Sequence, residues 1–97
     1  MSTLNEESIV SRTGEQVATE VEDKVALLQL STGKYYALNA VGALIWSQLE
    51  SPRTIRALAE SVVAEYDIDL QTAVKDARIL VQALHDAGFL TIEGGTT

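Results

Sequence analysis

The stretch STGKYYALNAVGALIW, residues 31–46, changes its period halfway along. Up to Leu38 it alternates like a strand, with Tyr36 and Leu38 on one face and Tyr35 and Ala37 on the other. Beyond Asn39 the apolar residues Val41, Leu44, Ile45 and Leu49 fall on one helical stripe, with Trp46 beside it. Asn39 stands at the junction, where its side-chain oxygen can cap the first turn. The reading is a strand, Lys34–Leu38, running directly into a helix, with the Leu38 face toward the core.

Upstream, Ser31-Thr32-Gly33 is a short separator, and Gly33 takes positive φ at no steric cost. It predicts an antiparallel hairpin of Val25–Leu30 with Lys34–Leu38. Val25, Leu27 and Leu28 make the middle strand apolar on both faces at its start. VATEVE, from Val17, reads as a further strand, set off by a turn at Glu22-Asp23, and SIVSR, residues 8–12, as a short leading one.

Downstream, Pro52 stops the first helix and Thr54 can cap a second, whose stripe is Ile55, Leu58, Ala59, Val62 and Tyr66. The short linker makes the two helices packed neighbours. Asp69 can cap a third and longer helix, Leu70–Ala87. Its stripe is Leu70, Ala73, Val74, Ala77, Leu80, Val81 and Leu84, and Gly88 follows as a left-handed cap. FLTI after Gly88 can return as a short strand or an extended tail. The class is therefore α+β, an N-terminal three-stranded antiparallel sheet followed by three helices.

Ninety-seven residues hold one core, and 46% hydrophobic composition is ample for the roughly 65% of surface a chain this size buries. Residues 9–92 are expected to form the single domain, with 1–8 and 93–97 as flexible tails. No apolar run nears the roughly 18 residues of a membrane span, and the N-terminus is polar and acidic, so a cytoplasmic chain is expected. With no cysteine, thiolate chemistry, disulfides and cysteine metal sites drop out. A net charge of −7 and a pI near 4.5 disfavour nucleic acid and anionic membranes as partners. The seven basic residues are scattered, with no run among them.

No residue set reads as a reaction centre. His85 sits in the last turn of the third helix without a nucleophile or ligand cluster beside it. Glu20, Glu22 and Asp23 lack the spaced oxygens and interior glycine of a calcium loop and read as a solvated turn. Glu60 with Glu65, and Asp67 with Asp69, read as helix-surface and capping carboxylates. With no phosphate loop or nucleophile elbow either, the chain is expected to bind rather than catalyse, without cofactor or metal.

Two features stand apart from the core pattern. Tyr35 and Tyr36 are explained by β-propensity alone, one ring inward and one over the sheet, or by an exposed strand edge whose outward ring seats an added strand. Ile79 points away from the Leu80–Leu84 face in the company of Lys75, Arg78 and Gln82. It is either an ordinary exposed apolar residue or one wall of a groove for an acidic or amphipathic peptide.

Three segments in order, TGKYYALNAVGALIWSQL, TIRALAESVVAEYDID and DARILVQALHDAGFL, resemble the PqqD-like family of leader-peptide recognition domains for ribosomally made, modified peptides. The likeness spans residues 17–92. It is most specific at Tyr36-Ala37-Leu38-Asn39 with Gly42 and Trp46, and at Asp76 with Leu80, Val81, Leu84 and Gly88. It implies a winged helix-turn-helix in which a precursor's leader adds as a strand beside Lys34–Leu38, in the cleft against the third helix. The implied binding residues are Lys34, Tyr35, Tyr36, Ala37, Leu38, Lys75, Arg78, Ile79 and Gln82. LSTGKYYALN is more similar to the stand-alone chaperones of lasso-peptide pathways, which implies a separate leader peptidase as second partner. A general protein-interaction adaptor and a DNA-binding winged helix are the competing classes, and the charge weighs against the second.

Overall fold

The computed structural model describes residues 5–14, 16–22 and 24–93. Residues 1–4 of the expected N-terminal tail, 94–97 of the C-terminal one, and Asp23 of the expected turn lie outside the described residues. The hairpin forms as its separator predicts. Strands β1 (Ile9–Arg12), β2 (Gln16–Val21), β3 (Lys24–Gln29) and β4 (Tyr35–Leu38) come first, and the last three make an antiparallel sheet in the order β2-β3-β4. The β3–β4 turn closes on Gln29 and Lys34, with Gln29 N–H donating to Lys34 O at 2.8 Å and Gly33 N–H to Gln29 O at 2.8 Å. Gly33 carries φ +72°, the conformation that only glycine adopts freely. Leu30, read as strand, is an exposed turn residue instead.

Helix α1 (Ala40–Gln48) starts where the period changes, and Asn39 Oδ1 accepts from Gly42 N–H at 2.8 Å. Helix α2 (from Ile55 to Glu65) begins at Thr54, whose Oγ1 accepts from Ala57 N–H at 3.1 Å. Helix α3 (Leu70–Asp86) begins at Asp69, whose Oδ2 accepts from Thr72 N–H at 3.1 Å. Each cap satisfies an N–H that the helix leaves without a partner. Gly88 follows α3 at φ +90°.

The sequence treats SIVSR and FLTI as isolated pieces, whereas the structure joins them. Strand β5 (Arg53–Thr54) and strand β6 (Leu90–Glu93) flank β1 in a second antiparallel sheet, β5-β1-β6, in which Ile9 pairs with both Thr54 and Glu93. The segment 5–8, read as tail, is a turn held to α2. Ser8 is buried, Ser8 O accepts from Ile55 N–H at 3.1 Å, and Glu6 O accepts from Arg56 N–H at 3.0 Å.

The core lies between the two sheets and the helices. Val10, Leu27, Leu38, Ile45, Leu58, Val81 and Phe89 are buried within it, each removing apolar surface from water. Trp46 joins this core, and the guanidinium of Arg12 lies 4.3 Å from its ring centroid, a cation–π contact. Burial lowers the pKa of Arg12 from its ordinary value, and the carboxylate of Glu50 acts in the opposite direction. Gln29 is buried on β3 and donates from Nε2 to Gly88 O, tying the hairpin sheet to the turn after α3.

Candidate functional site

β4 is an edge strand of its sheet among the described residues. Its register with β3 pairs Leu28 with Tyr35, Leu27 with Tyr36, Ala26 with Ala37 and Val25 with Leu38. The bonded pair at Gln29 and Lys34 sets the alternation, so Tyr36 and Leu38 bond toward β3. The N–H and C=O groups of Tyr35 and Ala37 therefore point out along the free edge. Side chains alternate independently of this: Leu38 is buried, Tyr36 is half-buried against Phe89, and Tyr35 and Ala37 are exposed. Lys34, just before the strand, is also exposed.

At the end of β4 the chain opens into a concavity of about 210 Å³ between α1 and α3, lined by Asn39, Val41, Gly42, Ile45, Asp76 and Leu80. Buried Leu38 packs on Gly42 behind this lining, so closely that any Cβ at Gly42 would lie 3.2 Å from Leu38 Cδ2. Val41 and Leu80 present half-buried apolar walls and Asp76 an exposed carboxylate. In the sequence Val41, Ile45 and Leu80 fall on the core stripes and not among the implied binding residues. Two signals point to the concavity: Asn39, Gly42, Asp76 and Leu80 are among the most specific positions of the family resemblance, and the i, i+4 spacing of Asp76 and Leu80 sets a carboxylate beside an apolar residue on one flank of α3.

The residues expected on α3 do not gather in that concavity. Ile79 is 60% exposed and stands on the outer surface of the helix. Lys75 and Arg78 line a second concavity of about 380 Å³ on the α2 side, with Glu6, Arg56, Leu70 and Val74. Gln82 is exposed and donates from Nε2 to Asp86 Oδ1 at 2.9 Å, a contact within its own helix. Tyr35 projects from the sheet face opposite Leu38, so it and Ile79 line neither concavity.

That outer face carries a further feature. Val17 pairs with Leu28 and Leu28 with Tyr35, and the three are 45%, 42% and 62% exposed. They form an apolar row across all three strands. Its trace in the sequence is the middle strand's apolar character on both faces.

A winged-helix domain with an open edge strand beside a groove on its third helix is the class these observations define. The chain belongs to the PqqD family: the family described as coenzyme PQQ synthesis protein D (PqqD) matches residues 24–90. It is similar to a structure described as TbiB1 in complex with the TbiA(beta) leader peptide, with 33% identity over 90% of this chain and 99% of that one and a TM-score of 0.76. A lasso peptide synthetase B1 complexed with the leader peptide shares the fold at 24% identity, with a TM-score of 0.74 over 84% of this chain and 96% of that one. No curated protein matches. Among the described residues no helix is long and apolar enough to cross a membrane.

Proposed function

We propose that this chain binds the leader segment of a ribosomally synthesised precursor peptide by strand addition to β4 and presents it to a separate maturation enzyme, a lasso-peptide leader peptidase. The observation that carries the reading is the free edge of β4, with the main-chain groups of Tyr35 and Ala37 directed outward beside the α1–α3 concavity. The similarity to TbiB1, described in complex with a leader peptide, supports the same ligand class. The role is one of binding, and the chemistry belongs to the enzyme.

Main-chain bonds alone do not hold such a peptide. Ordering a residue costs about 1–2 kcal/mol, whereas each hydrogen bond returns a net of about 0.5–1.5 kcal/mol. The leader must bury apolar anchors, each contributing about 1.5–3 kcal/mol, and the walls of Val41 and Leu80 are positioned to receive one. Val17 and Leu28 of the outer row stay uncovered when a strand joins the edge, whereas Tyr35 stands beside the side chains the added strand presents on that face.

Titration of the chain with a lasso-precursor leader peptide, by fluorescence anisotropy at moderate salt, tests the reading. Low-micromolar or tighter binding, weakened tenfold or more by Leu80→Asp with the helical circular dichroism retained, is expected. An absence of binding by the folded chain returns the function to a general interaction adaptor.

A further inference from the structure

Three of the chain's seven basic residues, Arg56, Lys75 and Arg78, converge on the concavity between α2 and α3, although the net charge is −7. Arg56 is already engaged, holding Glu6 at 2.9 Å and Glu60 at 3.2 Å. Lys75 and Arg78 form no ion pair within 4.0 Å among the described residues. They stand over an apolar floor of Leu70 and Val74. The Glu6 carboxylate also lines this concavity and is held there by Arg56 at 2.9 Å.

The concavity is joined to the β4 cleft by one exposed apolar residue. At about 100° per residue, Ile79 lies about 60° around α3 from Asp76, which lines the cleft, and about 40° from Lys75, which lines the concavity. A helix is roughly 10–12 Å across, a span that three or four extended residues cover at about 3.3 Å each. The 60% exposure of Ile79 then has a use, as the surface the peptide crosses.

We propose that the precursor peptide, beyond the strand it adds to β4, crosses α3 over Ile79 and sets an acidic side chain between Lys75 and Arg78, with a neighbouring apolar residue on Leu70 and Val74. The assignment rests on the strand-addition reading. It makes the chain a reader of two separated features of one peptide, an apolar anchor at the α1–α3 concavity and a carboxylate at the α2–α3 concavity. A linked second contact raises affinity through effective concentration and discriminates against precursors that lack the acid.

The test uses the full-length precursor and a version with its Asp and Glu replaced by Asn and Gln, titrated against wild type, Lys75→Glu/Arg78→Glu, and the equal charge change Lys24→Glu/Arg53→Glu, all at 0.15 M salt. The Lys75/Arg78 reversal is expected to weaken the native precursor tenfold or more and to leave the amide version within twofold. The Lys24/Arg53 control is expected to change neither by more than twofold. A reversal that weakens both precursors alike, or no more than the control does, overturns the acidic contact while strand addition stands. Failure of wild type to bind either precursor overturns strand addition and this contact together.

Discussion

Tyr36 meets Phe89 edge to face, with ring centroids 6.4 Å apart and planes at 73°. The contact joins β4 to the turn after α3, so the strand offered to a peptide is anchored from behind by the same turn that Gln29 reaches. Such an aromatic pair contributes about 0.5–1.5 kcal/mol beyond the area it buries. Tyr36→Ala is therefore expected to cost about 2–3 kcal/mol in chemical denaturation. Tyr35→Ala, one residue away and exposed, is expected to stay within about 0.5 kcal/mol.

Ala37→Pro separates recognition from stability. The Ala37 N–H points to the free edge, so its loss removes no bond to β3 and is tolerated as proline is on other edge strands. Leader affinity is expected to fall at least tenfold in anisotropy, with a stability loss of about 1 kcal/mol or less. Tyr36→Pro, which deletes a bond to β3, is expected to unfold the sheet, a difference that circular dichroism reports.

Gly42→Ala sets helix propensity against packing. Alanine gains about 1 kcal/mol within a helix. Its Cβ would stand 3.2 and 3.3 Å from the Cδ2 and Cβ of buried Leu38, which has little room to yield. The expected net is a change within about 1 kcal/mol, accompanied by weaker leader binding as β4 is pushed from α1. Gly42→Val, which adds branching to the same clash, is expected to lose more than 2 kcal/mol in a denaturant melt.

Acid acts on α3 through its cap. Bonds from the side chain and then the backbone of Thr72 hold the Asp69 carboxyl below its ordinary value of 3.8. A carboxyl whose folded pKa is depressed stabilises the fold above its unfolded pKa, and that contribution disappears as pH falls through the folded value. Asp69→Asn caps without titrating. The melting temperature of wild type relative to Asp69→Asn is expected to be constant near neutrality and to drop as pH falls below 3.8.

Much of this architecture is legible along the chain because its determinants are local. Asn39, Thr54 and Asp69 cap the residues that follow them, and Gly33 closes a turn with its neighbours. The second sheet is not legible in the same way: Ile9 finds Thr54 and Glu93 across most of the sequence, and two residues of β5 carry no period. Helical arithmetic places Ile79 off the core stripe correctly. It does not say which neighbour covers each flank of α3, so Lys75 and Arg78 appear beside Ile79 in sequence and yet line a concavity that Ile79 does not. The pocket of Val41 and Leu80 is hidden for a related reason, since a partly covered core residue and a groove wall have the same hydrophobic signature.

An unpaired strand next to an exposed apolar row is also a template for self-association, and the chain's defence is its charge. At neutral pH a net −7 on 97 residues drives identical copies apart before their edges meet, while a neutral or cationic peptide feels no such barrier. That protection vanishes near the pI of about 4.5 and is screened by concentrated salt. The acidity of the chain thus acts as a sorting rule at the edge, keeping its own kind away from a surface held open for another.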